Sequence, residues 1–200
     1  AQQALFAAEA DKAPPAHAPD QGETDLPRDL DPELVAMIDD SKRLSPARRE
    51  CLAMRLPADA VFHVGHASVA EIDRLNIRRA AHLAMGRAVA GLVARIGAPD
   101  LVLVDGREVP DAITHPAQAV VRGDAVSLSI AAASVLAKVA RDRIMVDLAQ
   151  QFPGYGWERN AGYGTRQHLD ALRSLGITPN HRRSFGTVHK MLYQDLSSTS

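Results

Sequence analysis

The chain has one cysteine, Cys51, in 200 residues. An internal disulfide is therefore excluded, and a reducing compartment is the natural setting. Aromatic residues make up only 4%, so the core has to be aliphatic and rich in alanine. No apolar run approaches the length of a membrane span. The opening AQQALFAAEADK has neither a basic start nor a continuous apolar stretch, so it does not read as a secretory signal. A cytoplasmic protein with no membrane partner is the expectation. P-loop, GxGxxG, CxxC and HExxH patterns are absent, which removes support for nucleotide-fold and zinc-protease readings. The eight histidines show no ligand spacing on one helix face, so no zinc is assigned.

What is present suits one globular domain with a real core: 46% hydrophobic and 24% charged residues. The net charge of -1 conceals an asymmetry. Acids gather early, at Glu9, Asp11, Asp20, Glu23, Asp25, Asp29 and Asp31. Arginines gather later, at Arg74, Arg78, Arg79 and Arg87, then at Arg159, Arg166, Arg182 and Arg183. Such clusters suit a polyanion, or simply display charge to water.

Residues 1–25 read as disordered or non-native, because the Pro-rich, acidic stretch KAPPAHAPDQGETD has neither helical nor strand periodicity. Residues 26–195 read as the folded domain. Asp31-Pro32 starts a short helix, and Ser45-Pro46 starts a second that Pro57 should stop. VFHV is a short strand, and Ser68 and Glu71 open one long helix to Gly97 with capping-box spacing. LVLV and AVV (119–121) are strands, 127–150 is a helix, FPGYGWERNAGYG is a loop, and Thr165 caps a helix ending at Gly176. Strands alternating with long helices argue an α/β layer fold with a helical C-terminal part.

Two segments carry the chemistry. LVLVDG ends an apolar strand on Asp105. SIAAASVLAKVARD (129–142) places Ser134, Lys138 and Asp142 four residues apart, on one broad helix face. Carboxylates beside a lysine and a hydroxyl are how a metal-and-phosphate site is commonly built. Taken singly, Asp105 also reads as a turn residue and Asp142 as a surface ion-pair partner. Ser41-Lys42 offers a second hydroxyl–lysine pair. Tyr163, between glycines in AGYGT, leaves room for a base or sugar to approach its ring. Tyr155 and Trp157 read as packing residues, and Cys51 as buried and inert. His181 is open to a phosphate contact or to a structural role.

DSKRLS, EIDRLNI, LVDGREVP, RGDAVSLSIAAASVLAKVARDRIM, FPGYGW, GYGTRQH and HRRSF stand in one order and spacing. In that order they resemble bacterial ribonuclease HII. The resemblance implies a ribonuclease H-like mixed sheet flanked by helices, with a C-terminal helical extension. It implies endonucleolytic cleavage of RNA in RNA–DNA hybrids and at ribonucleotides embedded in duplex DNA, by a chain acting as a monomer. It also implies four acidic residues holding two Mg2+ or Mn2+ ions. By the same resemblance Asp105 and Asp142 are catalytic metal ligands. Tyr163 would stack on the sugar beside the 2′-hydroxyl, and Ser41, Lys42, Ser134 and Lys138 would contact phosphate.

The chain departs from that pattern at its start. The family's first strand, with its Asp-Glu pair and Gly-Arg-Gly turn, is not found, and APDQGETD stands before Leu26-Pro27. The first strands of the sheet are thus expected to be missing or replaced, and two of the four metal carboxylates with them. Neither Glu23 nor Asp25 matches the motif. Asn160-Ala161 stands where the family usually has His-Lys. We read residues 1–25 as foreign to the family's N-terminus, through truncation, rearrangement or a shifted reading frame, and the absent initiating Met fits a fragment. The alternative to an active nuclease is a catalytically impaired nucleic-acid-binding remnant, or a destabilised one without function.

Overall fold

The computed structural model describes residues 4–8, 10–11 and 31–193. Within it the chain divides into two compact units, and two of its helices, α4 (Ile77–Ile96) and α5 (Leu128–Gln151), contribute residues to both. One unit gathers most of the chain from 31–65 and 82–139; the other gathers 66–81 and 140–193.

The described strands form two small sheets, one of two strands and one of three. β1 (Ala4–Ala8) pairs with β3 (His63–Ala67). β2 (Ala10–Asp11) runs antiparallel to β4 (Leu101–Asp105), and β4 runs parallel to β5 (Ala117–Val120), with Asp105 opposite Val120. Strands at 4–8 and 10–11 differ from the expectation of a structureless start. A short apolar run such as ALFAA needs only a free strand edge to pair. Residues 12–30, with Glu23 and Asp25, lie outside the described residues, as do the last seven.

Alternation in β4 follows the pleat: Val102 and Val104 are buried and Asp105 is exposed. The two valines pack with Val89 and Ile113. Val89 lies on α4 (Ile77–Ile96), where Ala84, Ala88 and Leu92 are also buried. A side chain on Gly65 of β3 would run into the Ala84 carbonyl and would stand 2.6 Å from the Ala88 nitrogen. Strand and helix touch there backbone to backbone, which explains the alanine-rich helix. A second apolar group joins Leu34 of α1 (Pro32–Met37), Leu52 and Leu56 of α2 (Pro46–Asp59), and Val135, Leu136 and Val139 of α5 (Leu128–Gln151).

Four boundaries differ from the sequence expectation. Pro57 lies inside α2 instead of stopping it. It removes one backbone donor near the helix end, and the Ala60 N–H still reaches the Leu56 carbonyl. The strand expected at VFHV lies at His63–Ala67. The long helix is broken into α3 (Val69–Leu75) and α4, because Asn76 adopts φ 69° and its side chain accepts the N–H groups of Arg78 and Arg79. Ser68 and Glu71 do form the capping box of α3. The aromatic loop contains one helical turn, α6 (Trp157–Asn160).

The second unit has the aromatic core that the composition understated. Tyr155 and Trp157 are buried and stacked, with ring centroids 5.0 Å apart. They pack with Met145 of α5, with Ala171 and Leu172 of α7 (Arg166–Leu175), and with Val188 of α8 (Gly186–Tyr193). His168 and His181 are buried beside them. Thr165 caps α7 as expected. Asp73 takes the Arg183 and Ser184 N–H groups at 2.9 Å and the Ser184 hydroxyl at 2.5 Å, fixing the lead-in to α8.

Candidate active site

In the first unit the centre is Asp105, at the carboxyl end of β4, where open α/β sheets place their ligands. Gly106 follows at φ 136° and keeps the ladder through its N–H to the Val120 carbonyl. Asp105 Oδ1 accepts the Gly123 N–H at 2.8 Å. Gly123 opens the 3-10 turn Gly123–Ala125, after Arg122 in the left-handed region. A side chain at 123 would come 3.3 Å from Asp105 Oδ1 and 2.5 Å from Ile130 Cδ1. Glycine is what lets this turn lie against the strand end.

The consequence is a residue that the sequence reading passed over. Asp124 follows Gly123, and its carboxylate, 15% exposed, meets Lys42 Nζ at 3.6 Å. Lys42 itself is 80% exposed. In sequence Asp124 only precedes the helix at 127–150, and it is the contact from 105 to 123 that ties its turn to the strand end. Ser41 is buried, and its carbonyl accepts from Arg49 Nη1 at 3.0 Å. Ser134 and Lys138 are half-buried on a stretch of α5 otherwise buried from 130 to 139. The Ser134 hydroxyl donates to the Ala131 carbonyl at 2.8 Å.

In the second unit Asp142 accepts from Arg141 Nη1 at 3.3 Å. Arg141 also lies over the ring of Tyr163, 5.1 Å from its centroid. Tyr163 is 55% exposed and borders a cavity of about 170 Å3 with His168, His181, Arg182, Phe185 and Val188. His181 is structural here: its Nδ1 accepts the Thr178 N–H at 2.9 Å, and its Nε2 stands 3.2 Å from His168 Nε2. Burial holds both imidazoles below the usual histidine range, His181 to about 4. Cys51 is half-buried instead of buried.

A metal pair needs more than this. Among the described residues no group of three or more His, Cys, Asp or Glu side chains is arranged to hold a metal ion. At this strand end stand the carboxylates of Asp105 and Asp124, the first bonded to the Gly123 N–H and the second facing Lys42. Two ions about 4 Å apart need a larger set, so the described residues do not fit a two-ion centre.

None of the described helices is long and apolar enough to cross a membrane. The fold is that of the ribonuclease H-like α/β proteins. Ribonuclease H2 of Pyrococcus horikoshii superposes with a TM-score of 0.63 at 25% identity, over 80% of this chain and 82% of that one. The family model described as ribonuclease HII matches residues 28–194. A ribonuclease HII of Cereibacter sphaeroides is 61% identical over 160 residues, 80% of this chain and 74% of the relative. One of Ruegeria sp. is 63% identical over 163 residues, 82% of this chain and 70% of the relative. The chain belongs to the ribonuclease HII family, and with it to the enzymes of ribonuclease H type II.

Proposed function

We propose that the chain cleaves the RNA strand of RNA–DNA hybrids and cuts at single ribonucleotides in duplex DNA, using a divalent cation, Mg2+ or Mn2+, at Asp105. The single observation behind the site is the Gly123 N–H bond to Asp105 Oδ1, which sets Asp124 beside that strand end in the same compact unit. On this reading Asp124 is the second carboxylate and Lys42, its partner, meets the phosphate. Ser134 and Lys138 serve the backbone of the same substrate, and Tyr163 stacks on the sugar beside the 2′-hydroxyl. Asp142, which the family resemblance suggested as a metal ligand, is taken instead as the anchor of Arg141.

A cleavage assay on duplex DNA holding one ribonucleotide tests this, with Mn2+ and with EDTA. We expect metal-dependent cutting that falls at least 100-fold in Asp105→Asn and Asp124→Asn, and about 10-fold or less in Asp142→Asn, in line with the loss of one transition-state electrostatic contact. Losses in the reverse order would return the role to Asp142. A second reading is favoured by the small set of carboxylates that the described residues bring to the strand end, Asp105 and Asp124: a binder that keeps its grip on nucleic acid without cutting. It predicts salt-dependent binding with no metal-dependent product.

A further inference from the structure

We propose that Arg141 is a positioning residue for Tyr163, holding the loop and the ring in one orientation for the nucleic acid. The proposal rests on the reading that Tyr163 meets the substrate. The Arg141 side chain is only 12% exposed. Its Nη2 donates to the Ala161 carbonyl at 2.5 Å, its Nη1 to Asp142 Oδ1 at 3.3 Å, and its guanidinium carbon lies 5.1 Å from the Tyr163 ring centroid. One planar group therefore grips the backbone two residues before the tyrosine and the tyrosine ring itself.

The segment needs such a grip. Ala161 and Gly162 are both left-handed, at φ 47° and 78°, and the first is a non-glycine residue that disfavours this region. Asn160 contributes from the other side: its Oδ1 accepts the Gly162 N–H at 2.8 Å, and its carbonyl accepts the Tyr163 N–H at 2.8 Å. The chain turns sharply here, and the Ala161 carbonyl is left for Arg141. A nearly buried guanidinium is costly unless it is paired and hydrogen-bonded. Here the carboxylate of Asp142 neutralises it, a carbonyl takes one donor and an aromatic face takes the plane. A lysine would keep the charge but lose the fork and the stacking plane. With Tyr163 over half exposed, the arrangement leaves an oriented aromatic platform, which is what stacking against a sugar or base requires.

Binding measured in EDTA tests this without calling on cleavage. The probes are a fluorescently labelled duplex with one ribonucleotide and the same duplex in DNA only. The proteins are the wild type, Arg141→Lys, Tyr163→Ala and the double variant, each checked by thermal melt. We expect Arg141→Lys to lose at least fivefold of the preference for the ribonucleotide duplex. Tyr163→Ala should lose as much, and the double variant no more than either single one. An unchanged preference in Arg141→Lys, with Tyr163→Ala impaired, overturns the positioning role alone. Losses that multiply in the double variant overturn it too, since the two groups would then act separately. If Tyr163→Ala keeps the full preference, the role of Tyr163 itself falls, and the positioning role with it.

Discussion

At Gly123 one methyl group separates folding from function. Its N–H holds Asp105 Oδ1, and a Cβ would press on that oxygen at 3.3 Å and on the Ile130 side chain at 2.5 Å. The Ile130 contact is with the end of a flexible side chain, which can yield. The carboxylate has to give by a few tenths of an ångström, which shifts it against the N–H that holds it. Overpacking of this kind costs about 1–3 kcal/mol, or several degrees in Tm for a chain of this size. Gly123→Ala is therefore expected to melt a few degrees early yet lose more than tenfold in cleavage, because the Asp105 carboxylate is displaced. A melt and an assay on the same sample check it; full activity with a lowered Tm would mean that the Gly123 bond does not position Asp105.

Between residues, the break at Asn76 shows how an element is set by one side chain. Its φ of 69° with ψ of 166° is a conformation that nearly only glycine adopts without strain. Its side chain nevertheless caps α4 by accepting the Arg78 and Arg79 N–H groups at 3.0 and 3.1 Å. Asn76→Ala keeps the strain and loses the cap, for a loss of about 1 kcal/mol. Asn76→Gly gives up only a few tenths of the capping energy and releases about 1 kcal/mol or more of strain. The glycine variant is thus expected to melt at or above the wild type and the alanine variant several degrees below it, and a reversed order would dismiss the strain. Helix periodicity ran through this point without a mark, since asparagine tolerates a helix interior. The same limit governs the site. Asp105 was legible because an apolar run ends on Asp-Gly, and the 134–138–142 stripe because helical spacing is local. Asp124 and Arg141 were not, because each gains its meaning from contacts distant in sequence: Lys42 meets Asp124 while the neighbouring Gly123 holds Asp105, and Arg141 lies over Tyr163. The composition also concealed the second core: few aromatics are needed when Tyr155, Trp157, His168 and His181 stand together.

That cluster makes the stability of the molecule depend on pH. His168 donates from Nδ1 to the Tyr163 carbonyl at 2.9 Å, and its Nε2 then accepts from Trp157 Nε1 at 3.1 Å and from His181 Nε2 at 3.2 Å. The His181 Nδ1 accepts from the Thr178 N–H, so both rings are neutral in the folded state. Burial is the main reason that His181 protonates only near pH 4, against an ordinary 6.5. The unfolded chain therefore takes up its proton first as pH falls, and stability drops between about 6.5 and 4. For His181 alone that difference amounts to about 3 kcal/mol. The Asp73 carboxyl acts in a lower window. Burial would raise it, but the Ser184 hydroxyl and the Ser184 and Arg183 N–H groups outweigh that and lower it below its ordinary 3.8. Its contribution is present above that value and lost further down. Trp157 is the one tryptophan of the chain and sits within the cluster, so its fluorescence follows this unit directly. We expect its unfolding midpoint to be flat from pH 8 to 7 and to fall through 6 and 5, and His181→Asn to remove most of that fall. A midpoint that stays level down to pH 4.5 in the wild type would mean that the histidine pair is hydrated or already charged, and that the tautomers assigned to it are wrong.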